Sequence, residues 1–540
     1  MTAVLQKYWV LLFLTLSVCL SLFFAVYKLN VAPPGFNADE AAFSYNAYSI
    51  LKTGADEYGT FLPLRLKSFD DYKMPLYTYL SVPIVGIFGL NELSARGLNI
   101  LLAVFFPIAI YFFAKELFNN KIIGVIGALL ISISMGKGIM EREAHEALLA
   151  ALLITLGSYF FIKFIESQRY RYGIAFVISI FLALFSYQSS RLFGLFFFLF
   201  ALGYFLLKKV RSKRTIIVFV LFAISLVAFA VTDIIYKPTR VENLFITNTA
   251  GFEMERQQLR NEGGSKIFYN PVTIGVHDAL YQYLLYFSPQ FLAEHGDSNV
   301  RFGFQGMSPI TPLEYLFIFV GIYFLFKNKQ RWRYFLLALF LISPITAALS
   351  WADLSLTRSF FIIIPGLIIA AYGFYNFVIS FKKREVFPYI LVGLVIIESL
   401  FLFYSWDFYL NHYSKRALPA EDWQAGYQEL ATYVKANYNN FDTFYITQKN
   451  GQPYIFMLFY LKYPPQEYQK QAELTSPDQF GFGQVEKFDK FNFSIPPGVF
   501  QKHHVAVIGY PDDFNNAPID QSKIKKIIVN NFPIFWIYEE

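Results

Sequence analysis

Eleven separate apolar runs, each about fifteen to twenty-three residues long, decide what this 540-residue chain can fold into. The hydrocarbon core of a bilayer is about 30 Å thick, and a helix of about 20 apolar residues crosses it. The runs cover residues 8–27, 93–114, 122–140, 144–162, 172–190, 192–207, 215–232, 312–326, 334–350, 359–381 and 387–405. Only 16% of the residues are charged and 55% are hydrophobic, where a soluble domain carries about 25% charged residues. The expected class is a polytopic α-helical membrane protein of the cell (plasma) membrane, with about eleven transmembrane helices. The first run follows Lys7 and has no A-x-A site after it, so it reads as an uncleaved transmembrane helix rather than a signal peptide.

Charge fixes the expected topology. With the N-terminus in the cytoplasm, the short inner loops carry Lys115 and Lys121; Lys163, Arg169 and Arg171; "KKVRSKR" at 208–214; "KNKQRWR" at 327–333; and "KKRE" at 382–385. Every basic cluster then falls inside, as the positive-inside rule requires. The net charge of +7 is thereby explained without a nucleic-acid partner. "PLYTYLSVPIVGIFG" at 75–89 is apolar, but it is short and contains Pro75 and Pro83. Counting it as a span would invert every later loop, so it is expected to lie on the outer surface as an amphipathic segment.

The expected organisation is a transmembrane catalytic domain over 1–405 and a soluble extracytoplasmic α/β domain over 406–540. The first domain has an outer loop at 29–92 and a long one at 233–311. In the tail, the helical pattern "DWQAGYQELATYVKANY" precedes strand-like "FDTFYITQ", "HHVAVIGY" and "IKKIIVNNFPIFWIYEE". No GxGxxG or GxxxxGK[ST] suggests a nucleotide site. The single cysteine, Cys19, excludes a disulfide framework, and the histidines show no metal-ligand spacing.

Most unusual polar residues fall at the outer ends of the runs: Asp39 and Glu40 after the first, "MEREAHEALL" at 140–149, "SYQSSRLF" at 186–193 and "WADLSLTRSF" at 351–360. Sharing one side of the membrane, they are expected to converge at an outer-leaflet cavity. Charge near a bilayer is costly and points to function. Glu398, deep in the last run, receives no role. Asp39 has two readings. It caps a helix over "EAAFSYNAYSILKTG", or it is a general base whose pKa is raised at a low-dielectric boundary. In "EREAHE", Arg142 and Glu146, Glu141 and His145, and Glu143 and Glu146 would share helix faces. These form either an interfacial salt-bridge set or a second carboxylate site. Lys73, Arg191 and Arg358 are cations on the outer side. They either snorkel to headgroups or recognise a phosphate.

Residues 36–96, "FNADEAAFSYNAYSILKTGADEYGTFLPL…YKMPLYTYLSVPIVGIFGLNELSAR", resemble the first outer loop of the GT-C glycosyltransferases. The branch they resemble most holds the protein O-mannosyltransferases and the lipid A aminoarabinose transferases. "EREAHEALL" resembles that family's acidic turn between its third and fourth helices, and "LTRSFFIIIPGL" resembles a late Arg-then-Pro motif. The likeness implies an inverting transferase that uses a polyprenyl-phosphate-linked sugar. It implies Asp39 as catalytic base with Glu40 beside it, and Glu143 or Glu146 as the second acidic position. It further implies that Lys73, Arg191 and Arg358 contact the carrier phosphate, with Arg142 placed in the same group. The implied partners are the lipid-linked donor, membrane lipid, and a protein, lipid or glycan acceptor. No cofactor is assigned; a divalent metal stays open, since some members need one and others do not.

A transporter or flippase of a lipid-linked or polar substrate is the alternative. It predicts internal repeats and mid-membrane polar groups, of which the sequence offers no repeat and one mid-span charge. A scaffold that displays the tail would leave the outer polar turns unexplained.

Overall fold

A computed structural model describes residues 3–69, 71–208, 212–236, 246–350, 353–382, 384–476, 483, 485–515 and 517–540. The chain divides into two compact units. One is built on Met1–Tyr27, Asn99–Lys237 and Val241–Tyr409, the other on Lys28–Leu98 and Leu410–Glu540.

The first unit is helical. Over the described residues of the whole chain, six helices are long and apolar enough to cross a membrane. They are Tyr8–Val26, Glu92–Phe118, Glu146–Ser167, Lys213–Tyr236, Leu356–Ser380 and Phe387–Lys415. A seventh span results if Lys121–Ile133 and Met135–Glu141, bent by 57°, are one crossing. The chain is thus a multi-pass helical membrane protein. Among the described residues, length and composition pick out six or seven of the eleven crossings expected from the apolar runs. Tyr170–Leu184, Ser190–Leu206, Arg333–Ala348 and Pro312–Lys327 are shorter helices. Fifteen residues, as in Tyr170–Leu184, rise only about 22 Å, less than the bilayer core.

The 57° bend has a local cause. Ser134 leaves helical geometry, and the Gly136 N–H donates to the Pro309 carbonyl at 3.0 Å instead of to its own helix. A Cβ on Gly136 would lie 2.7 Å from Ile363 Cδ1 and 2.9 Å from Pro309 Cα, so a larger residue would force the two segments apart. The bend sets the direction in which the chain enters the polar turn at 142–145.

The second unit joins the first outer loop to the C-terminal segment. Helix Ala38–Thr53 ends in the left-handed Gly54 (φ 73°), which a tight C-terminal cap requires. A hairpin follows, β1 (Leu66–Ser68) antiparallel to β2 (Asp71–Lys73), with Leu66 opposite Lys73. Helix Leu76–Phe88 comes next and exposes Leu80, Ile87 and Phe88. The segment expected to stay outside is therefore helical with uncovered apolar residues.

The C-terminal part holds a seven-stranded mixed sheet. Its strands are β3 (Thr443–Ile446), β4 (Glu473–Leu474), β5 (Val485–Phe488), β6 (Phe491–Asn492), β7 (Val505–Gly509), β8 (Lys525–Val529) and β9 (Phe532–Glu539). Their order is β4-β5-β6-β3-β7-β9-β8. The centre, β6-β3-β7, is parallel and both flanks are antiparallel. β7 is buried throughout, as a central strand covered on both faces should be. Phe36, Ala41 and Tyr45 of the first loop share one core with Leu430, Phe444, Ile455, Phe456 and Phe535. The loop is therefore no free connection: its catalytic candidates stand on a floor built partly by the C-terminal segment.

Candidate functional site

The start of helix Ala38–Thr53 separates the two members of the acidic pair. Asn37, not Asp39, is the cap: its side chain accepts from the Glu40 N–H at 3.1 Å. Glu40 returns the bond, accepting from the Asn37 N–H at 3.2 Å. The capping reading of Asp39 is corrected accordingly, because the box is filled by the residues at either side of it.

Glu40 is fully buried and faces Arg96. Arg96 Nε donates to Oε1 at 2.8 Å and Nη2 to Oε2 at 3.0 Å. Nη2 also reaches the Gly35 carbonyl at 2.7 Å. This bidentate fork, with both groups hidden, holds the chain just before the helix. The Asp39 side chain lies outside the cap and pairs with Lys73 of β2. Lys73 Nζ stands 4.8 Å from the Phe43 ring centroid and 4.6 Å from that of Phe69. Two aromatic faces and one carboxylate thus hold the ammonium in place.

In the helical unit, the predicted helix through "EREAHE" is broken. One helix ends at Glu141 and the next begins at Glu146, so the four- and three-residue spacings do not place these side chains on one face. The turn is held by Asn99, whose Nδ2 donates to the carbonyls of Met140 (3.0 Å), Glu143 (2.5 Å) and His145 (3.1 Å). Arg142 is fully buried; its Nη1 donates to the Phe24 carbonyl at 2.6 Å and its guanidinium lies 5.6 Å from the Tyr409 ring. Glu143 is buried. Glu146 opens the next helix, and His145 caps that helix by accepting from the Ala147 N–H at 3.0 Å. His145 therefore has a structural task.

Arg191 pairs with Asp233 at 3.1 Å. Arg358 donates to Ser350 Oγ at 2.6 Å. The turn carrying Arg358 is fixed by Asp297, a residue the sequence reading passed over. Its Oδ2 accepts from the Leu356 N–H at 2.5 Å and its Oδ1 from the Asn299 N–H at 2.7 Å. Burial pushes the Asp297 carboxyl up to about 6, against the pull of its two N–H donors and of Arg301 and Arg358. The D-x-N spacing in "GDSNV" was its one visible signal. Glu398 accepts from Thr311 Oγ1 at 2.8 Å. Among the described residues, no group of three or more His, Cys, Asp or Glu is placed to hold a metal ion.

Residues 73–235 match the family model described as dolichyl-phosphate-mannose-protein mannosyltransferase. Among curated proteins no sequence match was found. Of solved structures, ArnT from Cupriavidus metallidurans in the apo state is similar at a TM-score of 0.55 and 11% identity, covering 98% of each chain. The same protein bound to undecaprenyl phosphate gives 0.54 and 12%, again over 98% of both chains. The apo oligosaccharyltransferase of Archaeoglobus fulgidus gives 0.51 and 16%, over 85% of this chain. The chain spans 64% of the length of that archaeal protein. At these identities the likeness speaks to the fold, which the chain shares with ArnT from end to end.

Proposed function

We propose that this GT-C chain moves a sugar from a polyprenyl-phosphate carrier to an acceptor hydroxyl, on protein, lipid or glycan, at the outer face of the membrane. One observation carries the reading: in the segment where the family match begins, Lys73 is held beside the accessible carboxylate of Asp39. A cation for the leaving phosphate and a base for the acceptor then stand side by side. The binding of undecaprenyl phosphate by ArnT, whose fold this chain shares, adds support.

The chemistry is a single displacement. The acceptor oxygen forms a bond to the anomeric carbon, and the bond from that carbon to the carrier phosphate breaks. The electron pair leaves with the phosphate oxygen, and the acceptor proton goes to Asp39. The stereochemistry at the sugar inverts. When the donor arrives, its phosphate takes over Lys73, which leaves Asp39 free to accept the proton. Arg142, Arg191 and Arg358 are the further candidates for the carrier phosphate, and Glu143 or Glu146 is the second acidic position. Glu40 serves through Arg96, by fixing the helix start.

The eleven crossings, the cytoplasmic N-terminus and the extracytoplasmic C-terminal segment belong to this proposal; the basic inner loops support them. The test is transfer by the purified chain from a labelled polyprenyl-phosphate sugar, with analysis of which envelope glycan or glycoprotein loses a sugar on gene deletion. Failure to use any such donor, with the envelope unchanged, would count against the reading.

A further inference from the structure

We propose that a cleft in the 233–311 segment is a subsite for a sugar unit; that this sugar belongs to a substrate rests on the reading of the chain as a sugar transferase. The cleft measures about 440 Å³, within the range of small-molecule sites, about 300–1,000 Å³. Asp278, Tyr281, Gln282 and Leu285 line it. Their spacing of i, i+3, i+4 and i+7 is one face of helix Pro271–Leu285. Glu255 of helix Ala250–Glu262 and Asp353 add two more carboxylates. On the opposite face of Pro271–Leu285, Val272, Val276, Leu280 and Leu284 are each more than half exposed. A helix of a soluble domain turns its apolar face inward, whereas this one keeps its polar face in the cleft.

Gln282 Oε1 is hidden from solvent and accepts no hydrogen bond from any described residue. Buried acceptors are nearly always paired, and a donor arriving in the cleft pairs this one. The lining selects that donor. It holds three carboxylates and, among the described residues, no basic side chain, so a phosphate is repelled. Asp278 Oδ1 also meets the ring of the exposed His277, at 3.1 Å from Nδ1. The carboxylates do not converge as metal ligands do: among the described residues no group of three or more His, Cys, Asp or Glu is placed to hold an ion. Separate acceptors suit a ligand that brings many O–H donors at once, and Tyr281 adds an aromatic wall for a sugar's C–H face. The cleft also adjoins the turn of Arg358. Ser298 and Leu354 both line it, and the Ser298 N–H donates to the Leu354 carbonyl at 2.8 Å. Asp297, next to Ser298, holds the Leu356 N–H. A sugar in the cleft thus rests against the turn that carries a candidate ligand of the carrier phosphate.

The test is saturation-transfer NMR on the full chain in nanodiscs with free mannose, galactose, xylose, N-acetylglucosamine and mannobiose. At least one should bind the native protein and shield Tyr281, which is 60% exposed, from oxidative footprinting. Asp278→Asn and Gln282→Leu should each weaken that binding by about tenfold or more. The footprint needs no variant, so a variant that fails to fold leaves the test intact. No binding of any of these sugars, binding that leaves Tyr281 unshielded, or binding that both folded variants retain in full overturns the proposal. Calcium bound at the cleft in place of any sugar does the same. Transfer kinetics then identify the source. Variants that raise the KM for the lipid-linked donor assign the cleft to the donor's sugar; variants that raise the KM for a glycan acceptor assign it to the acceptor's. If the native protein transfers from a polyprenyl-phosphate sugar and both variants keep both KM values, the cleft inference falls and the transferase reading stands. A sugar bound at the cleft, with no transfer from any such donor, keeps the cleft and removes the transferase reading.

Discussion

Lys73 and Asp39 form an ion pair of unequal exposure: the lysine side chain is 8% exposed and the aspartate 46%. The cation is held in a fixed place while the carboxylate can still be reached by an acceptor. A base needs that access, and a purely structural bridge would not. Asp39→Asn keeps size and hydrogen bonding but cannot take a proton. It should lower transfer by about a hundredfold or more, while the protein still inserts and still binds polyprenyl phosphate. Full turnover by the purified variant would sink the assignment of Asp39.

Glu40 should behave differently from its neighbour. Both it and Arg96 are hidden, so removing one takes the bidentate charge partner from the other, at a cost of about 3–5 kcal/mol. Glu40→Ala and Arg96→Ala should each lower the unfolding temperature in detergent. The double variant should lose less than the sum of the two, because the second change removes the charge that has lost the fork. Strictly additive losses would show that the fork contributes little.

The class of the fold was legible because apolar runs and basic loops report directly on the bilayer. What the sequence hid was where helices stop. The break at Arg142–His145 depends on Asn99, which holds the turn from more than forty residues away, and no spacing rule contains that bond. Likewise the role of Asn37 was masked by the more conspicuous acidic pair after it. The partner of Glu40 lay 56 residues on, inside the quoted motif, with nothing local to mark it. The shared core of the first loop and the C-terminal segment was equally invisible, since it joins residues about 400 positions apart.

Lys73 and Arg358 should separate binding from chemistry. Lys73→Ala removes a cation from the leaving phosphate, so both the KM for the donor and kcat should suffer, kcat/KM falling by about a hundredfold. Arg358 donates to Ser350 Oγ and acts on the Asp297 carboxyl. Its loss should chiefly raise the KM for the donor, by about tenfold. Steady-state kinetics over a range of donor concentration distinguish the two patterns. An Arg358→Ala enzyme with unchanged KM and kcat would remove that residue from the site.

Asp297 gives a prediction in pH. Its folded carboxyl titrates at about 6, above the ordinary value of 3.8. The folded protein therefore binds this proton more readily than the unfolded chain does. Its contribution to stability is largest below about pH 4, falls as pH rises towards 6, and is constant above that. Asp297→Asn has no such titration and should lack this slope in unfolding temperature between pH 4 and 7. It should also be less stable above pH 6. An amide oxygen can serve one of the two backbone donors, Leu356 and Asn299, but its NH₂ faces the other. Because Leu356 lies two residues before Arg358, loosening the turn should raise the KM for the donor as well. Identical pH profiles for the native and variant proteins would show that Asp297 does not control the turn.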